Sequence, residues 1–336
     1  MPLDDASGAA PVRRDLVAIG ASAGGVQVLL DLAAALPADF GACVLVALHV
    51  GAHRSVLPEL MSARGPLRAS HPADGQPLQP GAIFVAPPDH HMLVEDGLIR
   101  LSRGPKENHA RPAIDPLFRT AALSHGPRVI GVVLSGRLDD GTAGLQAIKQ
   151  CAGLAVVQEP ADAEQPDMPA SAVANVAVDV QVPAARLAET LVRLVGAPAT
   201  RSLPAPAPWI ALEQAVSIGA GNPMDNLNAI GRPSRFSCPE CSGVLWELDQ
   251  TRPRRYRCHT GHGYTLRTLA DTQEAASDEA LWGAMRALQE REALLREMAG
   301  ELHDGADTDE ARRDCLVLAE RTASHGEQLR SMIEAD

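Results

Sequence analysis

Apolar runs without polar alternation constrain this chain more than any other feature. Asp15–Gly20 (DLVAIG), Ala42–Leu48 (ACVLVAL), Arg128–Leu134 (RVIGVVL) and Leu154–Gln158 each read as a strand buried on both faces. Helical patterns separate them: from the glycine turn after Gly20 to about Leu36, Arg54 to about Ala63, Ile114–His125, Gly141–Cys151 and a closing helix over Pro183–Leu194. Ala82–Ala86 and Val176–Val180 read as further strands. His91–Glu95 and Leu98–Leu101, joined by Asp96-Gly97, read as an antiparallel hairpin. Buried strands alternating with helices predict an α/β fold, a doubly wound, mostly parallel, Rossmann-like sheet with helices on both faces.

This pattern fills residues 14–196, somewhat over half of the 336-residue chain. Residues 197–230 begin with the Pro/Ala-rich stretch APATRSLPAPAP and read as an extended linker. Residues 231–268 form a Cys/His/aromatic block. Residues 270–336 turn helical, with Leu281, Met285, Leu288, Leu295, Met298 and Leu302 at helical spacing. Gly305 interrupts, and Thr308 is placed to cap a second helix. The two helices are expected to pack as a hairpin, the alternative being a coiled coil that makes a homodimer.

Composition excludes several classes. Apolar residues make up 46% and charged residues 21%, a globular balance, and the net charge of −12 opposes a general nucleic-acid binder. Arg252–Arg257 is the one basic cluster, read as a solvated hairpin tip. No apolar run reaches the roughly 18 residues that span a bilayer, and the N-terminus lacks the apolar core of a signal peptide. Of the six cysteines, Cys43, Cys151 and Cys315 read as core residues, and the other three cluster as a metal site in a reducing compartment would. A cytoplasmic location follows.

The first strand ends in Gly20-Ala21-Ser22-Ala23-Gly24-Gly25. A dinucleotide fingerprint would need glycine at the position of Ser22 and an acid after the second strand, where His49 stands instead. The alternative use of such a turn is to present a serine nucleophile at the sheet edge. His49 follows the second strand and Asp140 the third long apolar run, inside SGRLDDGTAG. The carboxyl ends of parallel strands gather on one edge, so Ser22, His49 and Asp140 can meet despite their separation.

GASAGG, LHV, APPDHHM, RPAIDPLF, SGRLDDGTAG and PDMPASAV occur in that order. Over about residues 14–195 the chain resembles the catalytic domain of the chemotaxis protein-glutamate methylesterases, the CheB family. The resemblance implies a Ser22–His49–Asp140 triad that hydrolyses glutamate γ-methyl esters on methyl-accepting chemoreceptors, releasing methanol, and that can deamidate glutamines. It also implies phosphorelay signalling, with a methylated chemoreceptor or similar protein as substrate and a methyltransferase or response regulator as further partner. No cofactor is expected for catalysis. Backbone amides near Ala23, Gly24 and Gly25 and near Gly136 and Arg137 are the oxyanion candidates.

Three departures stand out. Ala23 replaces a threonine, Arg137-Leu138 replaces Met-Gly, and Asp139 beside Asp140 leaves the triad acid to be settled by alignment to the motif, which favours Asp140. Only about 14 residues precede the first strand, so an attached receiver domain is not expected. A non-catalytic scaffold that keeps the fold is the alternative, opposed by the intact triad.

Cys238-Pro-Glu-Cys241 is a metal knuckle, and Cys258 follows after 16 intervening residues, inside Cys258-His259-Thr260-Gly261-His262. Tetrahedral structural zinc takes four such ligands. Cys238, Cys241 and Cys258 supply three. His262 is preferred to His259 as the fourth, because three intervening residues let the chain turn back onto the metal. Val244–Leu248 and Arg255–Arg257 read as two strands of a zinc-ribbon-like module.

Overall fold

A computed structural model describes residues 12–51, 54–199, 206–249, 252–302 and 306–334. Gly305 and much of the Pro/Ala-rich stretch lie outside them. The chain divides into two compact units, one ending at Leu269 and the other Ala270–Asp336.

In chain order the first unit begins β1 (Leu16–Ala21), α1 (Gly25–Ala35), β2 (Cys43–Leu48), α2 (Leu57–Arg64), β3 (Arg68–Ser70), β4 (Gln76–Pro77), β5 (Ala82–Val85), β6 (His91–Glu95), β7 (Leu98–Ser102) and α3 (Ile114–His125). It continues β8 (Val129–Val133), α4 (Thr142–Gln150), β9 (Leu154–Gln158), α5 (Asp167–Asn175), β10 (Val180–Val182) and α6 (Leu187–Leu194). Seven strands form one sheet in the order β10-β9-β8-β1-β2-β5-β3, every neighbour pair parallel. β6 and β7 form the expected antiparallel hairpin in a separate small sheet with β4.

Side-chain alternation divides the core into two layers. Val17, Ile19 and Ala21 of β1 face a layer with α1, α2 and α6, while Leu16 and Ala18 face one with α3, α4 and α5. Both layers exclude water, which is why the strands carry no polar alternation. The last strand of this sheet lies at Val180–Val182 rather than Val176–Val180. Val176 instead closes α5, and Val176 and Val178 pack against the α3–α4 layer.

Residues 208–230 are not an extended linker. They form α7 (Pro208–Ser217) and α8 (Pro223–Ile230). Proline at the first helical position suits α7, and Ile210, Glu213 and Val216 make its buried face. Asn222 caps α8, its side chain accepting from the Met224 amide. The proline and alanine content obscured this helical periodicity.

The cysteine block is a four-stranded antiparallel sheet of β11 (Gly231–Ser237), β12 (Val244–Leu248), β13 (Arg255–Cys258) and β14 (Gly263–Thr265). Its small core joins Leu245, Tyr256, Tyr264 and Leu269, with Phe236 edge-on to Tyr256 at 5.5 Å between centroids. The expected solvated tip is corrected in part: Arg252 and Arg254 are exposed, but Arg255 and Arg257 are buried. Arg257 donates to Glu107 at 2.7 Å and to Glu213 at 2.8 Å, and Arg255 to Glu213 at 2.7 Å. Arg119 of α3 completes the network, donating to Glu107 at 2.7 Å. Both guanidiniums go inside because buried carboxylates compensate them.

The remaining helices are α9 (Leu266–Glu301) and α10 (Ala306–Ile333). Within the second unit they run antiparallel as a hairpin: Arg312 donates to the Ala299 carbonyl at 3.1 Å, and Gly326 lies beside Leu288. Met285, Leu295, Ala299 and Ala319 are buried there, whereas Met298 and Leu294 are exposed. Cys315 is only half-buried, unlike the core cysteines Cys43 and Cys151.

Candidate active site

The order of strands reverses at β1, with β2 on one side and β8 on the other. Crevices form at such switch points beyond the carboxyl ends of the strands. Ser22 directly follows β1. His49 directly follows β2, where its amide donates to the Ala21 carbonyl at 3.1 Å. Ala21 is paired with Leu48, so Ser22 and His49 both leave adjacent parallel strands at the same edge of the sheet.

His49 Nε2 lies 2.7 Å from Asp140 Oδ2. With that nitrogen engaged, Nδ1 is the one left for a proton from another group. The geometry distinguishes the two adjacent acids. Asp140 faces His49, while Asp139 accepts from the Thr265 hydroxyl at 2.7 Å. No hydrogen bond joins the Ser22 hydroxyl to His49 among the described residues.

Asp140 is almost wholly buried and held from all sides. Oδ2 also accepts from the Ile114 amide at 2.7 Å; Oδ1 accepts from Asn108 Nδ2 at 2.8 Å and from the Gly141 and Asp115 amides. Burial alone would raise its pKa, but the His49 hydrogen bond and charge, with the Ile114 and Asn108 donors, hold it below the usual carboxylate range. Asp115, nearby at the start of α3, is pushed well up by burial and then by the Asp140 charge. Asn108 Nδ2 reaches both acids, 3.0 Å from Asp115 Oδ2. Burial lowers the His91 pKa and so favours its neutral ring; Nδ1 accepts from the Ala113 amide just before α3.

The serine turn is fixed from β8. The Ser22 amide donates to the Ser135 carbonyl at 2.9 Å, and the Ser135 hydroxyl donates to the Ala23 carbonyl at 2.8 Å. Gly24 adopts φ +77°, and a Cβ there would sit 2.5 Å from the Ser135 hydroxyl. A Cβ on Gly136 would lie 2.1 Å from Met168 Sδ and 2.8 Å from Ser22 Cβ, so only glycine allows that approach.

Two expected oxyanion donors are already engaged. Gly136 N–H donates to the Gln165 carbonyl and Gly25 N–H to the Ser22 carbonyl, each at 3.0 Å. The amides of Ala23, Gly24 and Arg137 make no such bond among the described residues. No side chain caps α1, which leaves the positive end of its dipole open beside Ser22.

Sequence reasoning passed over Asn108, Asp115 and Ser135. Asp115 lies inside RPAIDPLF, where a carboxylate amid apolar residues was the available signal. Asn108 offered none, since only Asp115 among its side-chain partners is near in sequence, and Asp140 and Thr265 lie 32 and 157 residues away.

Cys238, Cys241, Cys258 and His262 form a second cluster, their ligand atoms all within 4.8 Å of one another. Cys241 and Cys258 sulfurs are 3.6 Å apart, near the roughly 3.8 Å edge of a tetrahedron with Zn–S bonds of about 2.3 Å. Hydrogen bonding from Cys258 is the main influence that brings the Cys238 thiol down to about 3. The donor set and spacing fit zinc. His262, not His259, belongs to the cluster.

Comparisons with known proteins find relatives over the first half of the chain. A family model described as CheB methylesterase matches residues 17–191. A Leptospira interrogans relative bearing the name protein-glutamate methylesterase/protein-glutamine glutaminase is 35% identical over 186 residues, 54% of this chain and 94% of its own. A Methanosarcina mazei protein-glutamate methylesterase/protein-glutamine glutaminase is 32% identical over 54% of this chain and 52% of its own. The crystal structure of the Thermotoga maritima CheB methylesterase catalytic domain superposes with a TM-score of 0.52 at 28% identity, covering 55% of this chain and all of that one.

Proposed function

Because the chain belongs to the CheB methylesterase family, a family of protein-glutamate methylesterase hydrolases, we propose that it cleaves glutamate γ-methyl esters on methyl-accepting chemoreceptors or similar signalling proteins, releasing methanol. The observation that carries this reading is the His49–Asp140 pair at the strand ends that also present Ser22.

In this reading each residue of the site has a chemical task. His49 Nδ1 takes the Ser22 proton as the hydroxyl attacks the ester carbonyl, and Asp140 holds the opposite nitrogen and stabilises the imidazolium. The Ala23, Gly24 and Arg137 amides receive the negative charge that develops on the carbonyl oxygen, aided by the end of α1. The imidazolium then protonates the departing methoxide. Water, activated by the same ring, frees the glutamate. A glutamine side chain enters the same path with ammonia as leaving group, and both named relatives carry the glutaminase designation.

Cys238, Cys241, Cys258 and His262 would hold a structural zinc, which supplies folding energy to the small module and no catalytic step. A methyltransferase that makes the ester and a response regulator are the remaining partners in this phosphorelay reading. Exposed Leu294, Met298 and Val317 support a homodimer through the terminal helices. A cytoplasmic location belongs to the same reading; no described helix is long and apolar enough to cross a membrane.

Methanol release from a methylated receptor fragment tests the function. The full chain turns over, and Ser22→Ala loses about 10³-fold or more. Equal rates in the two proteins overturn the serine mechanism, and no release from either overturns the ester substrate.

A further inference from the structure

The module that carries the cysteines reaches the candidate catalytic acid. Directly after His262, β14 runs beside the segment Lys106–Asn108: the Asn108 amide donates to the Gly263 carbonyl at 2.7 Å, and Gly263 N donates to the Lys106 carbonyl at 3.3 Å. The Asn108 side chain is then gripped at its oxygen. Oδ1 accepts from the Thr265 amide and from the Thr268 hydroxyl, each at 3.2 Å. That grip fixes which end of the amide points where. Nδ2 has to face the other way, and there it donates to Asp140 and Asp115. A second strut runs from the Thr265 hydroxyl to Asp139, the residue before Asp140.

We propose that Asn108 is a positioning residue for Asp140 and that β14 with Thr268 sets its orientation, so the cysteine module is a working part of the active site rather than an appendage. The proposal rests on the esterase reading for its catalytic consequence and on the geometry alone for the positioning. Asn108 transmits because it has both an acceptor and a donor end, and the two are read by different parts of the fold. Without Nδ2, the Asp140 carboxylate loses a donor. Its charge then concentrates toward His49, and its orientation loosens. The other titratable groups around Asp140 are Asp115 on α3, Asp139 beside it and His91 at the start of β6.

A double-mutant cycle on the full chain tests this. Thr268→Val removes the hydroxyl donor to Oδ1 and leaves the Thr265 amide, and Asn108→Gly removes the link; glycine suits the φ of +51° at that position. Two readouts are followed. One is the downfield proton NMR signal of the His49 N–H bonded to Asp140, which needs no substrate. The other is the pH profile of kcat/KM for methanol release. We expect Asn108→Gly to shift the NMR signal, to lower kcat about tenfold and to move the acid limb of the profile to higher pH. Thr268→Val does the same more weakly, and adds nothing in the Asn108→Gly background. Additive effects of the two substitutions, or an unmoved NMR signal in Thr268→Val, overturn the proposal. Thr268→Val decides alone if Asn108→Gly does not fold. A wild type that releases no methanol overturns the esterase reading, while the NMR cycle still judges the positioning.

Discussion

Glu107 and Arg257, 150 residues apart in sequence, meet at 2.7 Å with both side chains almost wholly buried. Arg119 and Ser217 hold the other carboxylate oxygen of Glu107, at 2.7 and 2.8 Å. The network therefore joins α3, α7 and the cysteine module in one buried charge cluster. Removing a single partner strands the others in low dielectric, which costs about 3–5 kcal/mol. Glu107→Gln is expected to lose stability in that range, since it keeps the shape and deletes the charge facing two guanidiniums. Denaturant unfolding of the full chain measures this, and a loss below about 1 kcal/mol contradicts it.

The same cluster sets a limit in acid. Burial alone would raise the Glu213 pKa, but the charges of Arg255, Arg257 and Arg119 outweigh it and hold the carboxyl at about 2. A carboxyl depressed on folding contributes stability that is fully present above its unfolded value, about 4.5, and is lost as pH falls toward about 2. Asp115 works in the opposite sense, because its pKa is raised on folding. The difference between wild type and Glu213→Gln isolates the effect. Wild-type stability should fall more steeply than the variant's between pH 4.5 and 2, and parallel curves would refute the assignment.

Some of this was open to sequence reasoning and some was not. Parallel strands such as Leu16–Ala21 announce themselves by lacking alternation, and the strand ends then place Ser22, His49 and Asp140 on one edge. Alignment to the motif favoured Asp140 over Asp139, but the physical reason, a turn that aims one at His49 and the other at Thr265, was not legible in sequence. Arg255 and Arg257 look solvent-exposed in sequence, because the carboxylates that let them be buried come from Glu107 and Glu213. The helices at Pro208–Ser217 and Pro223–Ile230 hid inside a composition typical of linkers. Local pattern reveals what a residue prefers, and long-range pairing decides where that preference is overruled.

Close approach at Gly136 is a steric requirement that can be read out in activity. An alanine Cβ would overlap Met168 Sδ at 2.1 Å and crowd Ser22 Cβ at 2.8 Å. Gly136→Ala should cost about 1–3 kcal/mol of stability and displace the serine enough to lower turnover about 10²-fold. Adding Met168→Ala makes room on the sulfur side only. Stability should partly return while turnover stays low, because the contact with Ser22 remains. Recovery of both would locate the whole conflict at Met168.

The cysteine cluster predicts metal-dependent folding of its module. Bound-metal analysis should give one zinc per chain, abolished or strongly reduced in Cys238→Ser. Chelation should lower the thermal midpoint of the module and loosen β13 and β14 in hydrogen exchange, since these strands flank the ligands Cys258 and His262. Full protection in the presence of a strong chelator would argue that Phe236, Tyr256 and Tyr264 hold the sheet without metal.

Leu138 carries backbone strain two residues before Asp140. Its φ is +62°, the left-handed region that costs a residue with a Cβ about 1–2 kcal/mol. Three forces bear on Leu138→Gly. Relief of the strain favours the variant, while greater freedom of glycine in the unfolded chain and loss of a half-buried side chain oppose it. Strain relief is the largest of the three, because the leucine side chain is partly in water already. The variant should gain about 0.5–1 kcal/mol in denaturant unfolding. Its amide still donates to Asp167, so the loop keeps its path and methanol release stays near that of wild type. A net loss of stability would mean that the packing of the Leu138 side chain, rather than its backbone conformation, decides the residue at this position.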